Sequence, residues 1–455
     1  MSEPSLNALK RAGQNWLWSI LGGAGALLHF GTALLRLSTF FPYPKLMDFA
    51  AFYAGAWAVR TGISPYSLSP KLLETLRTQI GVSFSPPISP PIWLWLLQPL
   101  TFLHFSTAAL IWLLVLLAFI AWSAFTLAQI ARYSGWRQIG TLFILALTFG
   151  PVFLNLTLGQ SGLFLLIAVL IIGQAIRAKT KDSSLWAAIA WVVAVGAKLF
   201  PLIWLGALPL LRRWRLFVLA TMVVFLAFGL TTLLAPTASQ DYWLRFLPER
   251  VFSYSEQVGI DDQSLVAWLD RLGRPQTFRV PGLSVAERHA VTWSPPWSVD
   301  PVLIRLADYS LVALLALVPI IVLLRAGPAE AEGAFYLWVL YGLIVFPHTE
   351  RYNHVLLLPA MAWLWARSET FAQRSEFRAQ WGRKLVILAY FLVGLSRLTH
   401  LWAILLPAPW GPLASGFGLY AVLLLGGGMA ISLTEAASRS TMTVSYTHLT
   451  LPTKA

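Results

Sequence analysis

Five places in the chain carry side chains that can move a proton or hold a negative charge. Asp48 stands directly before the aromatic, alanine-rich run Phe49–Ala56. Gln160 lies in the turn sequence Leu158-Gly159-Gln160-Ser161-Gly162, and Lys198 is set inside an otherwise apolar run. Asp261-Asp262-Gln263-Ser264 falls in a long polar segment. His348-Thr349-Glu350-Arg351-Tyr352-Asn353-His354 marks a junction between apolar runs. A positioned carboxylate such as Asp48 can act as a general base on a hydroxyl, an effect typically worth about 10²–10⁴-fold. Lys198 and Arg351, with His348 when protonated, are the cations that a phosphate group needs.

Each of these groups also has a plainer reading. An ionised side chain near hydrocarbon costs roughly 2.5–3.5 kcal/mol, which makes a lone acid there a functional candidate. Asp48 would equally well cap a helix starting at Phe49, and the two roles are compatible. Gln160 can satisfy the backbone of its own turn, and the Asp261 pair can cap a helix that starts at Ser264. Lys198 can snorkel to an interface rather than hold an anion. The His348 segment reads either as an interfacial loop or as a site, since a His, a Glu and an Arg fall within four residues.

The elements that must position these groups are membrane helices. Of the 455 residues, 57% are hydrophobic and only 11% charged, and mean hydropathy is +0.68, beyond the range of soluble domains. The first apolar run, Trp16–Leu37, is long enough to cross a bilayer and reads as a retained first helix rather than a cleaved signal. The net charge of +14 comes largely from short basic loops between apolar spans, so it reports orientation and not nucleic-acid binding. There is no cysteine, which excludes disulfides and thiol chemistry. No Walker A, HExxH or nucleophile-elbow sequence occurs, and no metal-ligand cluster is evident, so neither a metal nor a cofactor is expected.

Lys10 and Arg11 place residues 1–15 in the cytoplasm and Asp48 outside. The expected fold class is an all-α polytopic membrane protein with about twelve spanning helices at about 20 residues per crossing. One membrane domain covers 16–435, with outer loops at 38–87 and 236–300. The first loop should hold helices at 49–60 and 70–80, followed by the prolines Pro86, Pro87, Pro90 and Pro91. Residues 88–104, interrupted by Pro99, read as interfacial or re-entrant, and 185–211 as two short helices with Lys198 near the tip. Further spans are expected at 107–130, 138–156, 161–176, 215–235, 301–324, 333–347, 353–367, 384–406 and 412–434. Residues 436–455 form a cytoplasmic tail whose last stretch, Ser445–Ala455, resembles translated adapter sequence.

With these residues in place, the chain resembles glycosyltransferase family 87, the polyprenol-phosphate-mannose-dependent mannosyltransferases of the GT-C group. The likeness rests on Asp48-Phe49 with Phe52-Tyr53-Ala54-Gly55-Ala56, on Gly62, Pro65 and Tyr66, and on the proline pairs before an apolar run. It continues in Leu158-Gly159-Gln160, Ala197-Lys198-Leu199-Phe200-Pro201, Arg212-Arg213-Trp214-Arg215 and Gln263-Ser264-Leu265. Asp262, where the family pattern has Asn, and His348-Thr349-Glu350 depart from it.

The resemblance implies transfer of a sugar, mannose, from a polyprenyl-phosphate donor to a hydroxyl of a lipid or glycan acceptor. The reaction would take place at the outer face of the cytoplasmic membrane; independently of the resemblance, one carboxylate and a displaced phosphate point to inversion at the anomeric carbon. Asp48 would be the catalytic carboxylate, and Lys198, Arg351 and His348 would bind the donor phosphate. Tyr53, Gln160, Asp262, Gln263, Glu350 and His354 would contact substrate. The rival from another class is a transporter or lipid flippase with a polar pathway, although no internally repeated half is visible.

Overall fold

The computed structural model describes residues 3–37, 45–178, 180–252, 259–281, 288–295, 297–372 and 376–447. Parts of the two expected outer loops (38–44, 253–258, 282–287 and 296) and the tail from 448 onward lie outside the described residues.

The chain is built from helices: α1 (Glu3–Arg36), α2 (Met47–Arg60), α3 (Pro70–Ile80), α4 (Pro91–Leu96), α5 (Phe105–Ile130), α6 (Trp136–Thr148), α7 (Gly150–Leu158), α8 (Gly162–Ala178), α9 (Lys181–Ala197), α10 (Ala207–Leu210) and α11 (Trp214–Leu234). The polar segment carries α12 (Pro236–Asp241), α13 (Leu247–Phe252), α14 (Leu265–Gly273) and strands β1 (Gln276–Pro281) and β2 (Arg288–Trp293). Then come α15 (Pro301–Arg325), α16 (Ala331–Val345), α17 (Leu357–Ala372), α18 (Glu376–Ser396), α19 (Thr399–Leu405), α20 (Trp410–Ser415) and α21 (Phe417–Thr447).

Among the described residues five helices are long and apolar enough to cross a bilayer, within α1, α5, α11, α15 and α21. The α6–α7 pair, bent by 61°, makes a sixth if it counts as one span. They leave large apolar side chains uncovered, such as Leu35, Phe225 and Leu233, as lipid-facing helices do. The remaining apolar helices are short. Among them α16 is buried along almost its whole length and packs against α8, α15, α17 and α21, so it forms the axis of the bundle. The protein is therefore an all-α multi-pass membrane protein in its main body.

Several expected elements start or stop elsewhere. The span expected at 138–156 is broken at Phe149, where Pro151 follows and cannot continue the α6 ladder. The span expected at 384–406 is two helices, α18 ending at Ser396 and α19 beginning at Thr399. Residues 276–293 form an unexpected antiparallel hairpin pairing Gln276 with Trp293 and Thr277 with Thr292. Its sequence includes Thr277, Phe278, Val280, Val291 and Thr292, residue types enriched in strands, a signal that the surrounding helical patterning obscures. The 185–211 run folds as expected into α9, then a 3₁₀ turn over Phe200–Gly206 and α10, with Lys198 at the break.

Candidate active site

The site is assembled at the end of the molecule where α2 meets the α7–α8 turn. Seven of the fourteen residues of α2 are Ala, Gly or Val, small enough for close packing. At Gly55 a Cβ would lie 2.7 Å from Pro87 and 3.1 Å from Leu94, so α2 and α4 touch through this position. Gly159 ends α7 with φ +71°, a conformation that disfavours any other residue, and a Cβ there would lie 2.7 Å from the Cβ of Phe49. Phe49 stacks on Trp112, whose Nε1 donates to the Gly159 carbonyl at 2.9 Å. The start of α2 is thus pressed onto the Gly159-Gln160 turn, which brings Gln160 to Asp48.

Asp48 is not the N-cap of this helix. Leu46 holds that position with φ 35°, and Asp48 sits in the first turn, where helix-dipole attraction favours its charge. Its Oδ2 instead accepts a hydrogen bond from Gln160 Nε2 at 2.8 Å. Burial pushes the Asp48 carboxyl up to about 6, with nearby Glu350 adding to the shift while Gln160 and Lys198 oppose it. Burial likewise brings Lys198 down to about 8 against the pull of Glu350 and Asp48. Asp48, Glu350 and Lys198 therefore share one recess, close enough for each charge to act on the others.

Lys198 is aimed from two sides. Its Nζ donates to Asn353 Oδ1 at 2.9 Å and lies 4.1 Å from the centre of the Tyr352 ring, a cation–π contact. The Tyr352 hydroxyl in turn hydrogen-bonds Glu350. Neither Tyr352 nor Asn353 stands out in the sequence beyond its place in the His348–His354 run. The signal was there in spacing: Asn353 lies three residues after Glu350, which a 3₁₀ turn brings into line.

Behind the recess lies a second layer. Asp262 is buried, and its Oδ1 accepts from the backbone N–H groups of Ser264 at 2.9 Å and Thr349 at 3.2 Å. Gln263 N donates to the Thr349 carbonyl at 2.7 Å, joining the polar segment to the 348–354 segment as a short bridge. Ser264, and neither aspartate, caps α14 by accepting from Ala267 N. His348 spans the two segments, with Nδ1 3.1 Å from Asp262 and Nε2 3.3 Å from Glu350. Burial alone would lower His348, but hydrogen bonds to the two carboxylates win and raise it to about 9, so the imidazole is cationic near neutrality.

Arg351 is engaged by groups other than Asp48. Its Nη2 pairs with Asp261 at 2.7 Å, and Nη1 donates to the carbonyls of Ser396 and Arg397 at the end of α18. Asp261, opposed by its burial, is held well below the usual carboxylate range by Arg351 and His400. His354 is fully buried, with Nδ1 3.3 Å from the Arg351 carbonyl and Cε1 2.8 Å from where a Cβ on Gly418 would stand. Burial brings it down to about 4, so it is neutral. Gln263 Oε1 accepts from Gly418 N at 3.1 Å. Tyr53 is turned toward the 3₁₀ turn over Gln98–Phe102, its hydroxyl donating to the Leu103 carbonyl at 2.8 Å.

Of the residues expected in the site, Asp48, Gln160, Lys198, Glu350, His348 and Asp262 are thus brought into one connected network. Gln263, Arg351 and His354 support it from behind, and Tyr53 stands beside it on the aromatic stack. Among the described residues no group of three or more His, Asp or Glu is arranged to hold a metal ion.

One acid poised near neutrality beside a lysine, in a recess of a membrane protein, suits chemistry at a phosphate-linked leaving group. None of the curated proteins and none of the solved structures compared with the chain matches it. The model of glycosyltransferase family 87 matches residues 88–347. That span takes in Gln160, Lys198, Asp262 and Gln263; Asp48 precedes it, and it ends one residue before His348. A match over more than half of the chain assigns it: this protein belongs to glycosyltransferase family 87 and is a membrane glycosyltransferase.

Proposed function

We propose that the protein transfers a sugar, mannose, from a polyprenyl-phosphate carrier to a hydroxyl of a lipid or glycan at the extracytoplasmic face of the inner membrane. The arrangement is of GT-C type, with the shorter apolar helices completing about twelve crossings. Asp48 is the general base. It takes the acceptor hydroxyl's proton as that oxygen bonds to the anomeric carbon, while the bond from that carbon to the phosphate oxygen breaks and its electrons leave with the polyprenyl phosphate. Lys198 receives the developing phosphate charge, with His348 adding positive charge beside it, and Arg351 supports the site from behind through Asp261. Gln160 orients Asp48; Glu350 and Asp262 hold His348 in place, Gln263 and His354 brace the segment from behind, and Tyr53 stands beside the site.

The observation that supports this most is the shared recess of Asp48 and Lys198, an acid that burial brings up to about 6 within electrostatic reach of a cation held in place by Asn353 and Tyr352. Attack opposite the departing phosphate with one carboxylate inverts the anomeric configuration. The test offers radiolabelled polyprenyl-phosphate mannose and membrane glycolipid to purified protein. Wild type should incorporate label into product and Asp48→Asn should not; near-wild-type turnover by the variant would refute the assignment of the base.

A further inference from the structure

At the opposite end of the bundle lies a cavity that the transfer reaction does not use. It has a volume of about 510 Å³, within the range of roughly 300–1,000 Å³ that ligand pockets take. It opens between α1, α5, α6, α17 and α18, and its floor is Phe149 and Tyr390. Trp112, near the start of α5, touches the Gly159 turn beside Asp48, whereas Leu127 on the same helix lines the cavity. At 1.5 Å per residue the fifteen positions between them are about 22 Å, so this is a separate site.

Its walls are apolar and its rim is basic. Arg137 lines the cavity, its guanidinium 5.7 Å from the centre of the Trp136 ring. Trp365, which lines the rim beside it, is held by a 2.7 Å bond from its Nε1 to the Tyr133 hydroxyl, and the Arg383 guanidinium lies 5.4 Å from its ring centre. No acidic residue lines the cavity. The basic runs Arg212–Arg215 and Arg367–Lys384 flank apolar segments in the sequence, the pattern expected of loops retained in the cytoplasm. An apolar slot between membrane helices with cations at its mouth is complementary to a lipid carrying negative charge on its headgroup.

We propose that this cavity binds an acidic phospholipid of the leaflet opposite the Asp48 site, one acyl chain lying between α6 and α18 and its phosphate resting on Arg137. The lipid fills the gap between α1 and the α5–α6–α17 wall and so fastens the first helix to the bundle.

Native mass spectrometry of the purified full-length protein, titrated with dioleoylphosphatidylglycerol or dioleoylphosphatidylcholine, tests this with chains held constant. One phosphatidylglycerol should be retained in preference to phosphatidylcholine by at least about fivefold, the worth of one arginine against an acidic headgroup. Arg137→Gln should abolish that preference while leaving sugar transfer in detergent unchanged. Leu142→Trp, which fills the cavity from a half-buried position, should weaken both lipids together. Equal binding of the two lipids to wild type, an undiminished preference in Arg137→Gln, or unchanged binding to Leu142→Trp would each overturn the proposal. So would displacement of phosphatidylglycerol by polyprenyl phosphate, which would assign the cavity to the donor's carrier. Arg137 is exposed and outside the packed core, so its variant decides the headgroup question even if Leu142→Trp fails to fold.

Discussion

Replacing Gln160 with Leu removes the hydrogen bond on the Asp48 carboxylate while keeping the side chain's bulk. The bond runs from Gln160 Nε2 to Oδ2 at 2.8 Å and favours the ionised acid against the burial that raises it. Hydrogen bonds to charged groups contribute about 1.5–3 kcal/mol, and because Asp48 is only half-buried the lower figure applies. At about 1.36 kcal/mol per pH unit this moves the titration of Asp48 upward by about one unit, from about 6 to about 7. A base must be ionised to act, so the fall in kcat/KM toward acid should begin about one unit higher in the variant. Its rate should be about twofold below wild type at pH 7 and about tenfold below it well under pH 6. The assay is the pH profile of sugar transfer from labelled donor by detergent-purified enzyme. A uniform loss at every pH, with the acid limb unmoved, would refute a role for Gln160 in setting the ionisation of Asp48 and assign it to substrate contact.

Other variants separate the remaining roles. Lys198→Met keeps length and apolar contact but removes the charge, and should lower kcat by about 10²–10³-fold, the usual worth of one group stabilising developing charge; a change in KM alone would count against it. In wild type the alkaline limb of the same profile should fall as pH rises through about 8, where Lys198 loses its proton, and this limb should vanish in Lys198→Arg if that variant turns over. Gly159→Ala adds a left-handed penalty of roughly 1–2 kcal/mol and overpacking of roughly 1–3 kcal/mol against Phe49, so the melting temperature should drop sharply. His348 has a folded value of about 9 against an unfolded value near 6.5. Its contribution to stability is therefore complete below about pH 6.5 and lost as pH rises toward 9. The melting temperature of wild type should decline across that window more steeply than that of His348→Gln, and parallel curves would refute the stabilising role of the His348 contacts to Asp262 and Glu350.

Much of this was legible because membrane insertion makes polar residues conspicuous. Asp48, Lys198 and the His348 run stand out against apolar surroundings, and the short helices around Lys198 follow from basic clusters at both ends of the run. What sequence could not give was who faces whom. Gln160 and Asp48 are 112 positions apart, and their meeting depends on Gly159 admitting Phe49, a contact invisible to periodicity. The capping readings of Asp48 and the Asp261 pair followed local rules, yet Leu46 and Ser264 occupy those positions because tertiary partners draw the carboxylates away. The hairpin at 276–293 was hidden for a different reason: in a chain dominated by 3.6-residue apolar patterning, six-residue strands outside the bundle leave little trace.

The 3₁₀ turn over Arg351–Leu356 explains why two cations so near in space have separate duties. With three residues per turn, positions three apart fall in line. Arg351 and His354 form one row, and that row faces Asp261, the end of α18 and Gly418. Glu350 and Asn353 form the next, facing Lys198, with Tyr352 between the rows beneath the ammonium. An α-helix over the same residues, at 3.6 per turn, would rotate successive positions by 100° rather than 120°. Asn353 would then swing out of line with Glu350, and Lys198 would lose one of its two guides. The tight turn therefore lets an ion pair between buried Arg351 and half-buried Asp261 anchor one row while the next row guides a partly exposed lysine beside Asp48. Stability and chemistry are drawn from neighbouring rows of one turn, so Asn353→Ala should cost turnover more than it costs melting temperature, and Asp261→Asn the reverse.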